Sequence, residues 1–338
     1  MTSIAESTPR RTEAGVSRPR RAAAQMGTVS DLKIPEAPHL TVREQASMSL
    51  FTTWRIGGPA DLLIRVSTPA DLAIAANWAR AQGLPVTVIG GGSNILVGDG
   101  GIRGVVLVSR TPGERAESLL SVEDDGDAVL LRVGAQALLS WVGRYCAEHG
   151  WGGMDWGVGL PGTIGGATVN NAGAHGTEQK DHLVGVVVLD NEGNQFSHNR
   201  AWLTPTYRHT SLKDAPRPRP YHILEAIFRL PKADPTELTR LATEHADYRH
   251  ATQPTGACAG STFTNPPGDF AGRLIERAGL KGFAVGGVSF STKHSNFIVN
   301  SGEGTAKQVR ELIAIAQDRI VEQFGIPLDP EIEEVGER

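Results

Sequence analysis

The groups best placed to do chemistry in this 338-residue chain are backbone N–H groups as much as side chains. Gly90-Gly91-Gly92-Ser93-Asn94 follows the β-branched run Val86-Thr87-Val88-Ile89. Three successive glycines pack no core and form poor helix or strand. They let a backbone lie against a ligand with several N–H groups converging, the arrangement that holds an anionic phosphate. The same stretch also reads as a Gly-rich turn between two strands. Ser93 and Asn94 add side-chain donors. The spacing lacks both the helix-opening G-x-G-x-x-G of a dinucleotide fold and the G-x-x-x-x-G-K-[ST] of a P-loop. A second zone, Gly157 to Gly176, is dominated by small residues and amides. A loop of that length needs a function in a compact domain, and we read it as backbone laid against a large flat ligand, with Asn170 and Asn171 as hydrogen-bonding groups. Tyr207-Arg208-His209-Thr210-Ser211-Leu212-Lys213 offers an arginine fork that clamps carboxylate or phosphate oxygens, or else a surface arginine near a turn. Cys258 reads as a packing residue rather than an acid.

These segments must be positioned by regular elements. Order is expected from about Leu40. Asp61 to Val66 reads as a strand, and Thr68-Pro69-Ala70-Asp71 opens a helix with a capping Thr and a first-turn Pro. Leu72, Ala75, Ala76 and Ala79 form the buried stripe of that helix, and Gly83 ends it. With strands at Val86 to Ile89 and Val105 to Val108 this is a βαβ-like unit. Thr111 to Asp127 reads as a polar surface turn, Ala128 to Val133 as a strand, and Ala135 to His149 as an amphipathic helix. Val184 to Leu189 and His222 to Leu230 read as strands. Asp234 or Thr236 starts a helix from about Pro235 to Tyr248. Asn296 to Asn300 is a strand, and Thr305 to Phe324 is a long helix with Val309, Leu312, Ile313, Ala316 and Ile320 facing the core. Glu331, Glu333 and Glu334 lie in a short tail, where acidic residues are usually solvated.

Composition limits the classes. A net charge of −4 implies no general polyanion surface, so no nucleic-acid partner is expected. Two cysteines give neither a metal spacing nor a disulfide framework, so no metal is expected and a reducing cytoplasm is suited. No apolar run approaches membrane-spanning length. Met1 to Ser30, with five arginines among Ser, Thr, Ala and Pro, reads as a disordered extension, with a transit peptide as the other reading.

Thr53-Trp54-Arg55-Ile56-Gly57-Gly58-Pro59-Ala60 together with the first glycine cluster resembles the first FAD-binding segment of the vanillyl-alcohol-oxidase-like flavoproteins. Many of those carry a histidine there that bonds covalently to the flavin. Ser93 and Asn94 stand in that region here, so non-covalent FAD is expected. Over Leu50 to Gly336 the chain resembles the UDP-N-acetylenolpyruvoylglucosamine reductase (MurB) family of peptidoglycan synthesis, in the type lacking a long tyrosine-bearing loop. Its markers occur in order: Thr53 to Gly58, Ile89 to Asn94, Gly159 to Gly176, Tyr207-Arg208, Gly260-Ser261-Thr262-Phe263-Thr264-Asn265-Pro266, Ala278 to Gly282, Lys293 to Asn300 and Leu328-Asp329-Pro330-Glu331.

The resemblance implies an α+β fold: a two-part FAD-binding domain of the vanillyl-alcohol-oxidase (PCMH) type plus a smaller α+β substrate-binding domain. Expected divisions are residues 1–30 (extension), 31–110 and 111–231 (FAD-binding parts), 232–326 (substrate domain) and 327–338 (tail). It implies reduction of UDP-N-acetylglucosamine enolpyruvate by NADPH through FAD; a cytoplasmic monomer is expected. Ser261 matches the family's proton-donating serine, Arg208 the arginine near the substrate carboxylate, and Glu331 the glutamate of the C-terminal L-x-P-E segment. FAD contacts are implied for Thr53, Arg55, Gly57, Gly90, Gly91, Gly92, Ser93, Asn94, Leu96, Leu160, Pro161, Gly162, Gly165, Gly166, Asn170, Gly173 and Ala174. Substrate contacts are implied for Tyr207, Asn265 and His294. Thr264 stands where the family usually has Lys, which removes a cation near the site. Two other readings are an FAD oxidase of the same superfamily acting on an alcohol or sugar, and a non-catalytic UDP-sugar sensor. The missing flavin-linking histidine speaks against the first. Ser261, Arg208 and Glu331 together speak against the second.

Overall fold

The structure, a computed structural model, describes residues 40–338; the expected extension 1–30 lies outside them. The first unit is β1 (Thr41–Ser47), β2 (Pro59–Val66), α1 (Pro69–Ala81), β3 (Val86–Ile89), β4 (Ile95–Val97) and β5 (Ile102–Ser109). Its sheet runs β1-β2-β5-β3, with β5 parallel to both neighbours. β5 is almost continuously buried, as a central parallel strand covered on both faces must be. Thr68 and Asp71 close a reciprocal capping box at the start of α1, worth about 1 kcal/mol.

The second unit is a five-stranded antiparallel sheet, β11-β10-β12-β7-β6. It comprises β6 (Leu120–Asp125), β7 (Ala128–Gly134), α2 (Leu139–Glu148), α3 (Ile164–Asn170), the hairpin β8 (Gly173–Ala174) and β9 (Thr177–Glu178), β10 (Leu183–Asp190), β11 (Gln195–Asn199), α4 (Ser211–Asp214) and β12 (Tyr221–Pro231). Three expectations are corrected here. The supposed turn 111–127 contains a 3-10 helix, Gly113–Leu119, and strand β6. β6 is an edge strand with mostly exposed residues; its acidic run pairs with Arg229 and Lys232, so no apolar alternation betrays it. Helix α2 starts at Leu139 rather than Ala135, because Ala135 N is taken by Leu224 O and Ala137 O by Ile164 N. The second glycine zone is not all loop: Thr163 caps the helix α3 inside it.

The remaining elements are α5 (Pro235–Thr252), α6 (Ala271–Arg277), the sheet β13 (Ala284–Val285), β14 (Val288–Phe290) and β15 (Ile298–Asn300), α7 (Ala306–Phe324) and β16 (Glu333–Val335). A division at residue 232 separates α5 from what it packs on: Leu238 and Ala242 cluster with Ala147 and Val158 of the second unit. The α6–α7 core is separate and includes Trp54, whose Nε1 donates to Ile298 O at 2.7 Å. The tail is not merely solvated. β16 pairs parallel with β4, register Glu333↔Ile95, so the last strand closes onto the end of the first glycine cluster.

Candidate active site

The two glycine-rich zones meet backbone to backbone. A Cβ on Gly91 would stand 2.6 Å from Gly162 Cα, and one on Gly90 would stand 2.3 Å from Thr163 Oγ1. On Gly92, whose φ is +64°, it would stand 2.0 Å from Phe51 O. No side chain larger than hydrogen fits, which is the physical demand behind the Gly90-Gly91-Gly92 run. These segments border a pocket of about 390 Å³, within the range of small-molecule sites. An FAD requires main-chain donors near an anion and apolar walls for its rings. The pocket offers the glycine nest on one side and Val86, Ile89, Leu139, Leu160 and Ile223 elsewhere, so the donor set fits the group.

Ser261 and Glu331 are brought together by a short pairing of two distant segments. Phe263 bridges Pro330, Thr264 N donates to Asp329 O at 2.9 Å, and Glu331 N donates to Thr262 O at 2.8 Å. Thr264, the departure from the family pattern, also donates its hydroxyl to Asp329 O and so serves the tail. Arg208 sits in a tight Thr206–His209 turn at φ +55°. Its Nε is 3.4 Å from Glu331 Oε1, its Nη1 donates to Glu178 Oε1 at 3.3 Å, its Nη2 donates to Gly173 O, and its guanidinium lies 4.9 Å from the Tyr207 ring centroid. Asn94 Nδ2 donates to Asn170 Oδ1 (2.9 Å) and to Glu331 O (3.2 Å), linking both glycine zones to the tail. Burial raises the Glu331 pKa above the ordinary carboxylate value, while Arg208 and Lys213 pull it down.

Of the expected residues, Gly90 to Asn94, Leu160 to Gly162, Gly165, Gly166, Asn170, Gly173, Ala174, Tyr207, Arg208, Ser261, Asn265 and Glu331 all line this pocket. Five are not among its lining residues. Thr53 supports the nest from behind, with Thr53 N donating to Gly92 O at 3.0 Å. Arg55 is exposed at a φ of +56°. Gly57 packs against Val97 and Met48, and Leu96 belongs to the α6–α7 core. His294 Nδ1 accepts from Asn296 N, and its ring meets the Phe297 ring edge-on. Asn171 turns away as the left-handed cap of α3, donating to Glu178 and Thr206 O.

The structure adds residues that the sequence reading missed. Arg249 and Gln253, one helical turn apart at the end of α5, line the pocket. Gln253 Oε1 is buried with no hydrogen-bond partner among the described residues, and burial holds the Arg249 pKa below the ordinary guanidinium value. Arg217, Arg219 and Glu333 also line it. Their only sequence signal was charge, which by itself separates no site from surface.

Comparison with known proteins agrees with this geometry. Residues 60–198 match the model described as FAD binding domain, and residues 252–335 match the UDP-N-acetylenolpyruvoylglucosamine reductase C-terminal domain. The reductase of that name from Rubrobacter xylanophilus is 39% identical over 287 residues, spanning 85% of this chain and 93% of that protein. That of Chloroflexus aggregans is 38% identical over 301 residues, spanning 88% and 98%. The crystal structure of the Thermus caldophilus enzyme (MurB) superposes with a TM-score of 0.70 at 33% identity, covering 88% of this chain and 99% of that one. With the FAD-binding model and the C-terminal model matched in order, and such relatives aligned along most of its length, the chain belongs to the UDP-N-acetylenolpyruvoylglucosamine reductase family.

Proposed function

We propose that this protein reduces UDP-N-acetylglucosamine enolpyruvate to UDP-N-acetylmuramate with NADPH, through non-covalently held FAD, as a step of peptidoglycan precursor synthesis. The observation that carries the reading is the convergence of Ser261, Arg208 and Glu331, from three separate segments, on the pocket bordered by the glycine nest. Gly90 to Asn94 and Gly162 to Gly166 would hold the FAD. Bound FAD supplies the two-electron relay that lets nicotinamide and sugar nucleotide use one site in turn.

Hydride adds to the β-carbon of the enol ether, and negative charge moves onto the α-carbon and its carboxylate. A positive group must meet that charge. Arg208 is assigned to it, its fork pre-set by Glu178, Gly173 O and Glu331. The α-carbon then needs a proton, which Ser261 Oγ is assigned to deliver; a weak acid suffices where the acceptor is a strong base. Glu331, whose pKa burial raises, keeps a proton or water beside Arg208. Tyr207, Asn265 and Arg249 are assigned to the sugar nucleotide, with Arg249 as the cation for its phosphates. Asn265 Oδ1 accepts from Ala271 N, which leaves its amide N–H groups to point outward.

The protein is proposed to act as a cytoplasmic monomer; among the described residues no helix is long and apolar enough to cross a membrane. The test is optical. Yellow protein should bleach anaerobically with NADPH and recolour with the enolpyruvyl substrate, and acid precipitation should leave the flavin in the supernatant. Recolouring only with oxygen would indicate an oxidase, and failure to bleach would indicate a sensor.

A further inference from the structure

Two arginines, Arg217 and Arg219, line one side of the pocket over a single carboxylate. Arg217 Nη2 and Arg219 Nη2 both donate to the same oxygen of Glu333. Lys213, whose Nζ donates to the carbonyl oxygens of Arg208 and Glu331, is shared among the carboxylates of Glu333, Glu331 and Asp214. Glu331 is already engaged by Arg208, so the arginine pair has Glu333 as its one ion-pair partner among the described residues. The Arg219 and Glu333 side chains keep 15% and 14% of their exposure, while Arg217, at 33%, stays partly open to solvent. Arg219 Nε is further pinned on Leu212 O at 2.7 Å. Like charges brought together in a partly desolvated place repel unless an anion joins them.

Position says which anion. Glu333 sits opposite Ile95 in the β16–β4 ladder, and its N–H donates to Asn94 O at 3.0 Å. The cluster is therefore next to the last residue of the glycine nest, and Arg217, Arg219 and Glu333 line the same pocket as that nest. A nest of backbone N–H groups supplies partial charges and no net charge. A dinucleotide's diphosphate carries two negative charges and would meet the one positive charge that Glu333 leaves unbalanced on the arginine pair. Arginine forks suit phosphate oxygens.

We propose that Arg217 and Arg219, bridged by Glu333, supply the counter-charge for the diphosphate of the bound flavin dinucleotide, the nest supplying orientation. This rests on the FAD reading above, which parent protein tests by itself: parent apo-protein that takes up no FAD removes both, whereas parent that binds FAD with an unaffected arginine variant removes this proposal alone.

The experiment titrates FAD into apo-protein, reading quenching of flavin fluorescence at low and at high salt. Arg217→Gln/Arg219→Gln should weaken FAD binding about 10- to 100-fold, the value of lost charge-assisted hydrogen bonds, and should flatten its salt dependence. Glu333→Gln keeps an acceptor for both arginines but removes the opposing charge, so it should bind FAD more tightly than the parent. The opposite signs separate counter-charge from a structural strap. If Glu333→Gln weakens FAD as the arginine variant does, the cluster only ties down the tail and the proposal fails. It fails equally if the arginine variant binds FAD as the parent does, or if only the KM for NADPH moves.

Discussion

Lys213 Nζ donates to the carbonyl oxygen of Glu331, 118 positions further along the chain, at 3.2 Å, and to the carbonyl oxygen of Arg208 at the same distance. One ammonium thus holds the backbone of both residues assigned to the substrate carboxylate. It ties the strained Tyr207–Arg208 turn to the C-terminal tail.

Lys213→Met should therefore loosen both. Two carbonyls lose a charged donor in a partly buried place, which costs about 1–3 kcal/mol of stability. The rate at which enolpyruvyl substrate reoxidises the reduced protein should fall, while bleaching by NADPH is nearly unchanged. Lys213→Arg keeps the charge and should recover part of the rate. Stopped-flow traces at the flavin absorbance separate the two steps. Equal slowing of both would mean the whole pocket had collapsed.

Ser261→Ala tests the proton donor. NADPH bleaches the protein without any proton from Ser261, so that step should keep its rate. The reoxidation step should slow by about 10²–10⁴-fold, the worth of a positioned acid. One hydroxyl leaves little cavity, so stability should hardly move. Parent-like reoxidation would move the role to another group.

Glu331 gives a pH-dependent stability. Its carboxyl is raised above the ordinary 4.5 chiefly by burial, so the folded protein binds its proton more tightly than the unfolded chain does. The stability this contributes is complete below about pH 4.5 and is lost as pH rises through the folded value. Glu331→Gln removes the titration. The variant should gain stability relative to the parent from pH 4.5 towards neutrality, while losing turnover. Denaturant melts across that range measure the difference, and a variant that loses ground as pH rises would show that Arg208 and Lys213 outweigh burial.

Gly91→Ala probes the contact between the glycine zones. Its Cβ would stand 2.6 Å from Gly162 Cα, backbone that cannot swing aside. Overpacking of this kind costs about 1–3 kcal/mol. The strain falls on the nest, so the purified protein should come out pale and reconstitute poorly with FAD. Parent-level flavin content would mean that the zones separate without cost.

Local rules made part of this molecule legible. Thr68-Pro69 and Thr305 announce helices because caps and a first-turn proline act over three or four residues. Val86 to Ile89 announces a strand by its β-branched run, and His222 to Leu230 by a short, mainly apolar run bounded by Pro220 and Pro231. Gly90-Gly91-Gly92 announced close backbone approach, because no other residue tolerates it. Motif order carried the family and named Ser261, Arg208 and Glu331. What the approach was to, Gly162, Thr163 and Phe51, was decided only in three dimensions. The same holds for the tail: Glu331 and Glu333 read as solvated acids, since nothing local distinguishes them from Glu334. The parallel β16–β4 ladder turns Glu331 and Glu333 towards Arg208, Arg217 and Arg219, and leaves Glu334 to Arg310 and Arg338. Thr53, Leu96 and His294 belong to the motifs, and their side chains contact Gly92 O, the α6–α7 core and Asn296 N. A motif records which residues keep company along the chain, whereas long-range pairing of segments decides which face each side chain presents to the pocket.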